Sequence, residues 1–295
     1  MARALILYNP AARSAPDPAL ITGIRKEFCL AGFVAEVAAS RVPGDLTRLA
    51  AGAAKAGFDR VAACGGDGSV REAAQGLAGS EVPLGLVPLG TANVLAREIG
   101  LPVHSTLTCS AIAARGRCER VGLGRVGGGT VFTFCASAGL DSAAVAHVDL
   151  GIKRQTGSWA YVYSAFGSLL QPPYPLLTVK KPDGSSFTAC QVFAARMRRY
   201  GAGFIYLSRV ADLRSPCLRL IAVPPPLAPR LPFLLARMLL GGLEGAAGLL
   251  IADVEYFKVE AAEPFPIQAD GDVLASTPAT FESLPNALDV IVPRN

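Results

Sequence analysis

Hydrophobic and polar positions alternate with two different periods along the first 120 residues. Short apolar runs such as "RALILYN" and "DRVAACG" predict buried strands, and each is followed by residues with the spacing of an amphipathic helix. Within residues 17–31, one helical face collects four apolar side chains, which are Leu20, Ile24, Phe28 and Ala31. Because strands alternate with helices, the pattern predicts a mostly parallel sheet with helices on both faces.

Two further strands, "FVAEVAAS" and "PLGLVPLG", complete the predicted sheet. The remaining predicted helices are "GDLTRLAAGAAKAG", closed by Gly57, "SVREAAQGLAG", and "TANVLAREIG", closed by Gly100. The pattern therefore predicts a βαβαβα unit that ends near residue 120.

From about residue 119 the pattern changes to short apolar runs separated by turn signals such as Asp183-Gly184. Helical spacing interrupts these runs near residues 156–170 and 230–250. The pattern predicts an antiparallel sheet or sandwich. We therefore expect an α/β domain over residues 1–120 and a β-rich antiparallel sandwich over residues 121–295, whose last strand could return to the first domain. A ligand is expected in the cleft between them.

The amino-acid composition argues against several classes of function. A hydrophobic fraction of 51% and a net charge of +5 indicate a folded protein, and the absence of a long basic run argues against nucleic acid as a partner. Seven cysteines without metal-binding spacing and two histidines argue against zinc and disulfides and favour a reducing compartment.

No membrane-spanning segment is expected from the sequence. The apolar start of the chain is too short for a signal peptide. The most apolar window, residues 231–251, is interrupted by Arg237, Gly241-Gly242 and Glu244, which favours a buried or amphipathic helix over a spanning one. A helix lying on a membrane surface is the alternative.

The stretch "CGGDGSVRE", residues 64–72, follows a predicted strand and opens a predicted helix. Glycine amides at a helix N-terminus attract phosphate, so this loop is a candidate phosphate site. A simple helix start is the alternative, because Ser69 and Glu72 have the spacing of a capping box. The loop is not a Walker A motif, and Arg71 stands where the dinucleotide fingerprint needs a third glycine.

Two more loops carry polar groups after strands. "PLGTANVLAREIGLP", residues 88–102, places Thr91 and Asn93 before a helix, where N-capping is the alternative explanation. Since Asn9 also follows a strand, three polar strand ends are expected at one sheet edge, where α/β proteins bind ligands. Downstream, "QADGDVL" brings Asp270 and Asp272 together around a glycine, with a plain hairpin turn as the alternative.

In this order, "GGDGS", "PLGTAN" and "ADGD" resemble the diacylglycerol kinase catalytic superfamily, which includes sphingosine kinases and bacterial lipid kinases. The resemblance extends from "YNPAA" to the terminal "ALDVIVP". It implies an ATP- and Mg²⁺-dependent kinase that phosphorylates the hydroxyl of a diacylglycerol-like or sphingoid-like lipid. "GGDG" alone is shared with NAD kinases, so an NAD kinase-like enzyme is one alternative. A nucleotide-binding regulatory protein with little turnover is another.

The resemblance also implies roles for individual residues. Asp272 would be the general base, Asp67 would hold Mg²⁺ directly or through water, and Asp270 would be a nearby carboxylate facing the metal. The nucleotide-binding positions that the resemblance implies are Ser40, Gly66, Asp67, Gly68, Ser69, Val70, Arg71, Glu72 and Thr91. Asn9 is added as a candidate nucleotide contact because it ends a strand at the same sheet edge.

Several positions depart from the family's pattern and indicate a divergent member. Aspartate stands at 272 where the family usually has glutamate, serine replaces threonine at 40 and 69, and Arg71 replaces asparagine. Where bacterial members bind a structural Mg²⁺ at an Asp-Gly turn, this chain has Ser215-Pro216, with Asp212 as the substitute ligand.

The expected partner is a lipid at a membrane surface, with the protein cytoplasmic or peripheral on the inner face of the membrane. The sequence leaves a homodimer open. Candidate lipid-lining residues, for which an ordinary core is the alternative, are Trp159, Tyr161, Phe166 and 231–251. A cluster of Arg196, Arg198 and Arg199 beside Tyr200 and Phe204 would rest on anionic headgroups or mark a solvated strand end.

Overall fold

The structure is a computed structural model that describes residues 1–12, 15–147, 175–203 and 205–294. The chain divides into two compact units, which we call unit 1 (Met1–Val121 with Asn286–Asn295) and unit 2 (Gly122–Pro285). The helix expected near residues 156–170, with Trp159, Tyr161 and Phe166, lies outside the described residues, as does Phe204.

Unit 1 is built on a parallel sheet in the order β2-β1-β3-β4, and the C-terminal part of strand β18 (Ala279–Val292) pairs with β4 through Val290 and Leu84. Its own strands are β1 (Arg3–Tyr8), β2 (Val34–Ala39), β3 (Arg60–Gly65) and β4 (Leu84–Pro88). Its helices are α1 (Pro18–Leu30), α2 (Asp45–Lys55), α3 (Asp67–Leu77), α4 (Val94–Glu98) and α5 (Thr106–Arg115).

Helix α1 shows how the local sequence specifies these elements. Asp17 is its N-cap, with a side-chain oxygen that accepts the Leu20 amide at 2.7 Å, and Pro18 occupies the first turn, where no amide is needed. Ile24 and Phe28 are fully buried against the sheet, and the other two predicted face residues pack partly buried against the same core. The predicted apolar face is confirmed.

Helix α5 was not predicted, because its buried face consists of small residues that produce little hydrophobic periodicity. Those residues are Cys109, Ser110, Ala113 and Ala114. Its large apolar residue Leu107 is instead exposed. The small face lets the helix approach the sheet closely, since a Cβ on Gly85 of β4 would lie 2.7 Å from the Ala113 Cβ.

Unit 2 is an antiparallel β sandwich. One sheet has the order β14-β13-β10-β7-β16-β17, and the other pairs β15 with the N-terminal part of β18 on one side and with β8, then β9, on the other. Strand β5, which begins in unit 1 and ends in unit 2, pairs with β6 and β18. The strands are β5 (Arg117–Val126), β6 (Thr130–Phe132), β7 (Cys135–Gly139), β8 (Leu177–Lys180), β9 (Ser186–Ala189), β10 (Gln191–Ala195), β11 (Arg199–Tyr200), β12 (Ile205–Tyr206), β13 (Leu218–Val223), β14 (Leu250–Val254), β15 (Tyr256–Ala261), β16 (Pro266–Ala269) and β17 (Asp272–Ser276).

The core of unit 2 lies between its two sheets. Stacked rings of Phe257 and Phe281, 4.8 Å apart, come from one sheet, and Val192 and Leu220 come from the other. These side chains are fully buried. Their burial explains why the strands of unit 2 read as short apolar runs.

The described helices of unit 2 are α6 (Leu140–His147) and α7 (Leu231–Leu239). The expectation of a helix through 231–251 was wrong in length: α7 ends before Gly241 and Gly242, whose φ angles of 117° and 130° are outside the right-handed helical region. Among the described residues, no helix combines the length and apolar character that crossing a bilayer requires.

Candidate functional site

The predicted polar strand ends meet at one edge of the unit 1 sheet. Because β1, β2, β3 and β4 are parallel neighbours, their carboxyl ends lie side by side. The Ser40 amide donates to the Tyr8 carbonyl at 2.9 Å, and the Leu89 amide donates to the Gly65 carbonyl at 2.9 Å. The expected convergence is confirmed by this pairing. Asn9, Ser40 and Gly66 directly follow β1, β2 and β3, and Thr91 is the third residue after β4.

The two glycine loops at this edge are in direct backbone contact. A Cβ on Gly90 would lie 2.6 Å from the Gly66 Cα, so this approach requires glycine at position 90. Asn93, in the left-handed region at φ 47°, braces the second loop because its side chain accepts the Gly90 amide at 3.0 Å and donates to the Gly90 carbonyl at 2.6 Å. The two loops therefore form one structural feature, which we call the glycine edge (Gly65–Ser69 and Leu89–Asn93).

Asp67 links the two halves of the glycine edge. It is the first residue of α3, and its Oδ1 accepts the Val94 amide of α4 at 2.7 Å. Asn93, the N-cap of α4, makes no side-chain capping bond to that helix. The Asp67 carboxylate thus does the capping for a helix that lies 27 residues further along the chain.

The capping box considered for the first loop does not form, and of the two caps considered for the second loop only Asn93 occupies the N-cap position, without a side-chain capping bond. Helix α3 begins at Asp67 with Gly66 as its N-cap, and Gly66 has no side chain with which to cap the helix. The Glu72 Oε2 accepts the Leu46 amide of α2 at 3.2 Å, so Ser69 and Glu72 do not form a capping box. The N-cap of α4 is Asn93, so Thr91, which is exposed, is not a cap. Sequence spacing thus suggested a Ser69–Glu72 capping box and a Thr91 cap that the structure does not have.

Among the predicted phosphate-loop residues, Val70 and Arg71 are buried, and Glu72 bonds to another helix. The side chains of Val70 and Arg71 are 6% and 9% exposed, and the Val70 amide donates within α3 to the Gly66 carbonyl at 3.1 Å. Glu72 holds the start of α2, as described above. The part of the loop that presents backbone is therefore Gly66 to Ser69, all partly exposed.

The second predicted chemical feature, the Asp270-Gly271-Asp272 turn, joins β16 to β17 in unit 2. Asp270 and Gly271 have φ angles of 51° and 88°. Asp272 is the first residue of β17 and is partly exposed. This tight connection agrees with the hairpin signal of the sequence.

Asp270 has a different role from the one expected. Its carboxylate is 6% exposed and accepts four hydrogen bonds from the segment preceding β7. These donors are the Thr133 amide (2.6 Å), the Thr133 hydroxyl (2.8 Å), the Phe134 amide (3.0 Å) and the Cys135 amide (3.1 Å). Burial raises the pKa of Asp270, and these hydrogen bonds act against the rise. Both oxygens are engaged in holding the turn, so we withdraw Asp270 as a metal-facing carboxylate.

Metal-binding groups in the described part of the chain are sparse. Those residues contain no group of three or more His, Cys, Asp or Glu side chains that could hold a metal ion. Asp212 is exposed, and its Oδ1 accepts the Arg214 amide and the Arg214 guanidinium at 3.0 and 3.1 Å. These contacts make a local turn, and they do not support Asp212 as a substitute metal ligand.

Arg196 fits neither interpretation given to the arginine cluster, whereas Arg198 is exposed. Arg196 is 1% exposed, and its guanidinium donates to the Ser283 hydroxyl and to three carbonyls, which are Leu213, Ser215 and Cys217. Burial lowers its pKa to about 10. Arg196 is therefore an internal brace of unit 2, which the sequence run of arginines could not reveal.

Comparisons with known proteins support one family. Residues 3–126 match the family model described as "Diacylglycerol kinase catalytic domain", and residues 135–292 match "YegS C-terminal NAD kinase beta sandwich-like domain". A diacylglycerol kinase of Bacillus subtilis (strain 168) is 25% identical over 297 residues, covering 100% of this chain and 97% of the relative.

Two further comparisons agree with this match. A Pseudomonas aeruginosa (strain UCBPP-PA14) protein named "Probable lipid kinase YegS-like" is 30% identical over 257 residues, covering 85% of this chain and 82% of the relative. A crystal structure of a diacylglycerol kinase from Bacillus anthracis has the same fold, with a TM-score of 0.79 at 20% identity over 98% of this chain and 96% of that one.

Proposed function

The chain belongs to the diacylglycerol kinase family, and on that premise we propose that it transfers the terminal phosphoryl group of ATP to the hydroxyl of a diacylglycerol-like or sphingoid-like lipid. One observation carries this proposal: the two loops of the glycine edge touch at Gly66 and Gly90 and are tied together by Asp67. A turn that served only to start a helix would need neither the contact nor the bond.

The backbone of the glycine edge suits a phosphate chain. Gly66 leaves the amides at the start of α3 without a side-chain cap, and the absence of side chains at Gly66 and Gly68 lets an anion approach those amides. The exposed Thr91 hydroxyl and the partly exposed Ser40 and Asn9 lie at the ends of the flanking strands. We propose these residues as the remaining nucleotide contacts.

Asp67 is suited to a Mg²⁺ ion that arrives bound to the nucleotide. Mg²⁺ is usually held by one or two carboxylates together with substrate phosphates. Asp67 is the acidic residue of the glycine edge, and the described residues hold no ready-made cluster. When bound, the ion would neutralise charge on the transferred group. We propose that Asp67 holds it, directly or through water.

Asp272 is the residue that we propose as general base for the lipid hydroxyl. It stands at the start of β17, immediately after a turn that is fixed by Asp270 and Gly271, so its position is defined by rigid neighbours. A positioned carboxylate can accept the proton of an attacking hydroxyl. The family's usual glutamate is one methylene longer, so we expect Asp272→Glu to retain substantial activity.

The deciding experiment supplies radiolabelled ATP with a total lipid extract and, separately, with NAD. We expect a lipid product. Label in NAD would support an NAD kinase instead, and label in neither would support a nucleotide-binding protein without turnover.

Variants at Asp67 and Asp272 test whether these two residues take part in the reaction. Asp67→Asn keeps an oxygen that can accept the Val94 amide but removes the charge, whereas Asp67→Ala removes both. We expect Asp67→Asn to melt near the wild-type temperature with its turnover lost. Asp272→Asn should lower kcat by about 10²-fold or more with little change in the Kd for ATP. Wild-type activity in Asp67→Asn or Asp272→Asn would remove that residue from the mechanism.

For the membrane, we propose that the exposed side of α7 and its neighbouring loop rests on an anionic lipid surface. Phe233, Leu239 and Leu240 are 53%, 60% and 76% exposed. The Arg237 guanidinium lies 6.0 Å from the centre of the Phe233 ring, and the Arg209 Nη2 donates to the Leu240 carbonyl at 3.1 Å. Apolar side chains beside arginines suit the interface of an anionic bilayer.

Vesicle sedimentation tests this surface. A Leu239→Ser, Leu240→Ser double variant should bind vesicles containing phosphatidylglycerol more weakly than wild type. Leu30→Ser, which changes a leucine that is 62% exposed on α1, is the matched control and should bind normally. Equal binding by all three proteins would contradict the proposal.

A further inference from the structure

The turn that carries Asp272 is held from inside unit 2 by the side-chain amide of Gln268. Gln268 is 1% exposed, and its Oε1 accepts the Gly271 amide at 2.8 Å while its Nε2 donates to the Ser137 hydroxyl at 2.7 Å. The pairing of β16 with β17 shifts register between Ile267 and Gln268. Such a bulge re-aims a side chain, and here the re-aimed side chain meets the turn.

A second set of polar groups fixes Ser137 in turn. The Ser137 hydroxyl donates to Oδ2 of Asp141, and the Tyr200 hydroxyl donates to the same oxygen at 2.6 Å. The Gln191 Nε2 donates to Asp141 Oδ1 at 2.7 Å, and the Asp141 amide donates back to the Gln191 Oε1 at 3.1 Å. Asp141 is therefore the common acceptor at the end of a series of hydrogen bonds that begins at the Gly271 amide.

Counting the donors and acceptors fixes the direction of each hydrogen bond between Asp141 and Gly271. The Ser137 hydroxyl has one proton, and it is given to the Asp141 carboxylate. The oxygen of Ser137 can then only accept, so it must face the Nε2 of Gln268. The Oε1 of Gln268 is consequently the atom left for the Gly271 amide, as the structure has it. An acceptor at position 141 thus sets which way the Gln268 amide is turned.

From these contacts we infer that Gln268 is a positioning residue for Asp272, and that Asp141 and Ser137 hold Gln268 in its working orientation. The inference rests on the proposed function, because it assigns Gln268 a role through the proposed base. Buried glutamine in a strand is costly unless its groups are satisfied, and here both ends of the amide are used. Small displacements of a reacting group lower the reaction rate strongly, so holding the turn in place also maintains the position of Asp272.

The same hairpin supplies a matched control at its other end. Thr277 is 2% exposed, and its hydroxyl accepts the Phe265 amide at 2.9 Å, next to the open end of the β16–β17 pair. Thr277→Val removes one buried hydrogen bond from the hairpin with little change of shape. Gln268→Met removes the clamp at the end that carries Asp272. A purely structural role for Gln268 predicts that the two variants behave alike.

We expect both variants to lower the melting temperature, but only Gln268→Met to lower kcat, by about tenfold or more, with KM for ATP unchanged. In an Asp272→Asn background, Gln268→Met should cause little further loss of kcat, since the group that it positions is already absent. If Gln268→Met does not fold, Ser137→Ala tests the same chain, because it removes the anchor and leaves the Gln268 bond to Gly271. We expect a smaller loss of kcat from it.

Hydrogen exchange separates this inference from the proposed function. The Gly271 amide should exchange faster in Gln268→Met than in wild type and unchanged in Thr277→Val, whether or not any lipid is phosphorylated. An inactive wild type with this exchange pattern would refute the kinase proposal and leave the clamp intact. Wild-type kcat in the active Gln268→Met enzyme, or an equal loss of kcat in Thr277→Val, would overturn the positioning role.

Discussion

Unit 2 contains the dipeptide Asp-Gly twice, each time between two antiparallel strands, and the two turns do different things. At Asp183-Gly184 the carboxylate accepts bonds from its near neighbours Lys181 and Ser185, and the turn is exposed. At Asp270-Gly271 the carboxylate is buried and accepts bonds from residues more than 130 positions away. The first turn closes a hairpin, whereas the second fastens a hairpin to the segment before β7.

An Asp-Gly signal in the sequence therefore predicts the backbone conformation of the turn, but it does not predict which groups the aspartate side chain contacts. Gly184 and Gly271 have similar φ angles, 80° and 88°. What separates the turns is whether distant amides are brought to the aspartate, which depends on how the whole unit folds.

The largest expected effect is on stability, from Asp270→Ala. This change leaves the buried amides of Thr133, Phe134 and Cys135 without their acceptor, which should cost about 3 kcal/mol or more of unfolding free energy. Denaturant unfolding of Asp270→Ala beside Asp183→Ala measures the difference. If both variants unfold at the wild-type midpoint, Asp270 does not fasten the turn.

A smaller effect is expected from alanine at the two glycines. Apart from the adjoining residues, no described atom lies within 4 Å of a Cβ added at Gly184 or Gly271, so the cost comes from the left-handed backbone and should be about 1 kcal/mol in each. Only Gly271→Ala should also lower kcat, because it shifts the neighbouring Asp272. Equal kcat values in the two variants would show that the second turn has no part in turnover.

The smallest effect is the pH dependence contributed by Asp183. Hydrogen bonds from Ser185 and then from Lys181 hold the pKa of Asp183 below its usual range. A lowered folded-state pKa stabilises the protein above the usual aspartate pKa of about 4, and this stabilisation is lost progressively as the pH falls from there through the lowered pKa of the folded state. The melting temperatures of wild type and Asp183→Ala should therefore differ slightly at pH 7, and the difference should begin to shrink below about pH 4. A gap that widens toward acid would contradict this assignment.

Most of unit 1 was predictable because its signals are local. Apolar runs bounded by glycine predicted β1 to β4, and the parallel order placed the glycine edge at their carboxyl ends. The bond from Asp67 to Val94 was not predictable, because it depends on two loops meeting in space. Local spacing even misled at Ser69 and Glu72, where the expected capping box does not form.

The sequence was less informative about polar groups inside unit 2. Arg196 looked like part of a surface cluster, and only the fold shows the carbonyls that surround it. Gln268 carried the one available clue, a polar residue within the apolar strand "PIQA", but its partners Gly271 and Ser137 are defined by the bulge and by strand pairing. The roles of the predicted nucleotide ligands and of Asp272 stay predictions until the variants are measured.

Strand β18 has a consequence for how the chain folds as it leaves the ribosome. Unit 1 receives its last strand from residues that are synthesised after all of unit 2, with Val290 beside Leu84 and the Gly79 amide donating to the Ala287 carbonyl at 2.7 Å. Until those residues emerge, β4 is an open sheet edge, the kind of surface on which nascent chains aggregate. Unit 2 is contiguous over Gly122–Pro285, so all of its strands, including its part of β18, are made before the last strand of unit 1. We therefore expect unit 2 to complete its fold before unit 1, although most of unit 1 is synthesised earlier. Unit 1 should depend on chaperone protection until translation has passed residue 292.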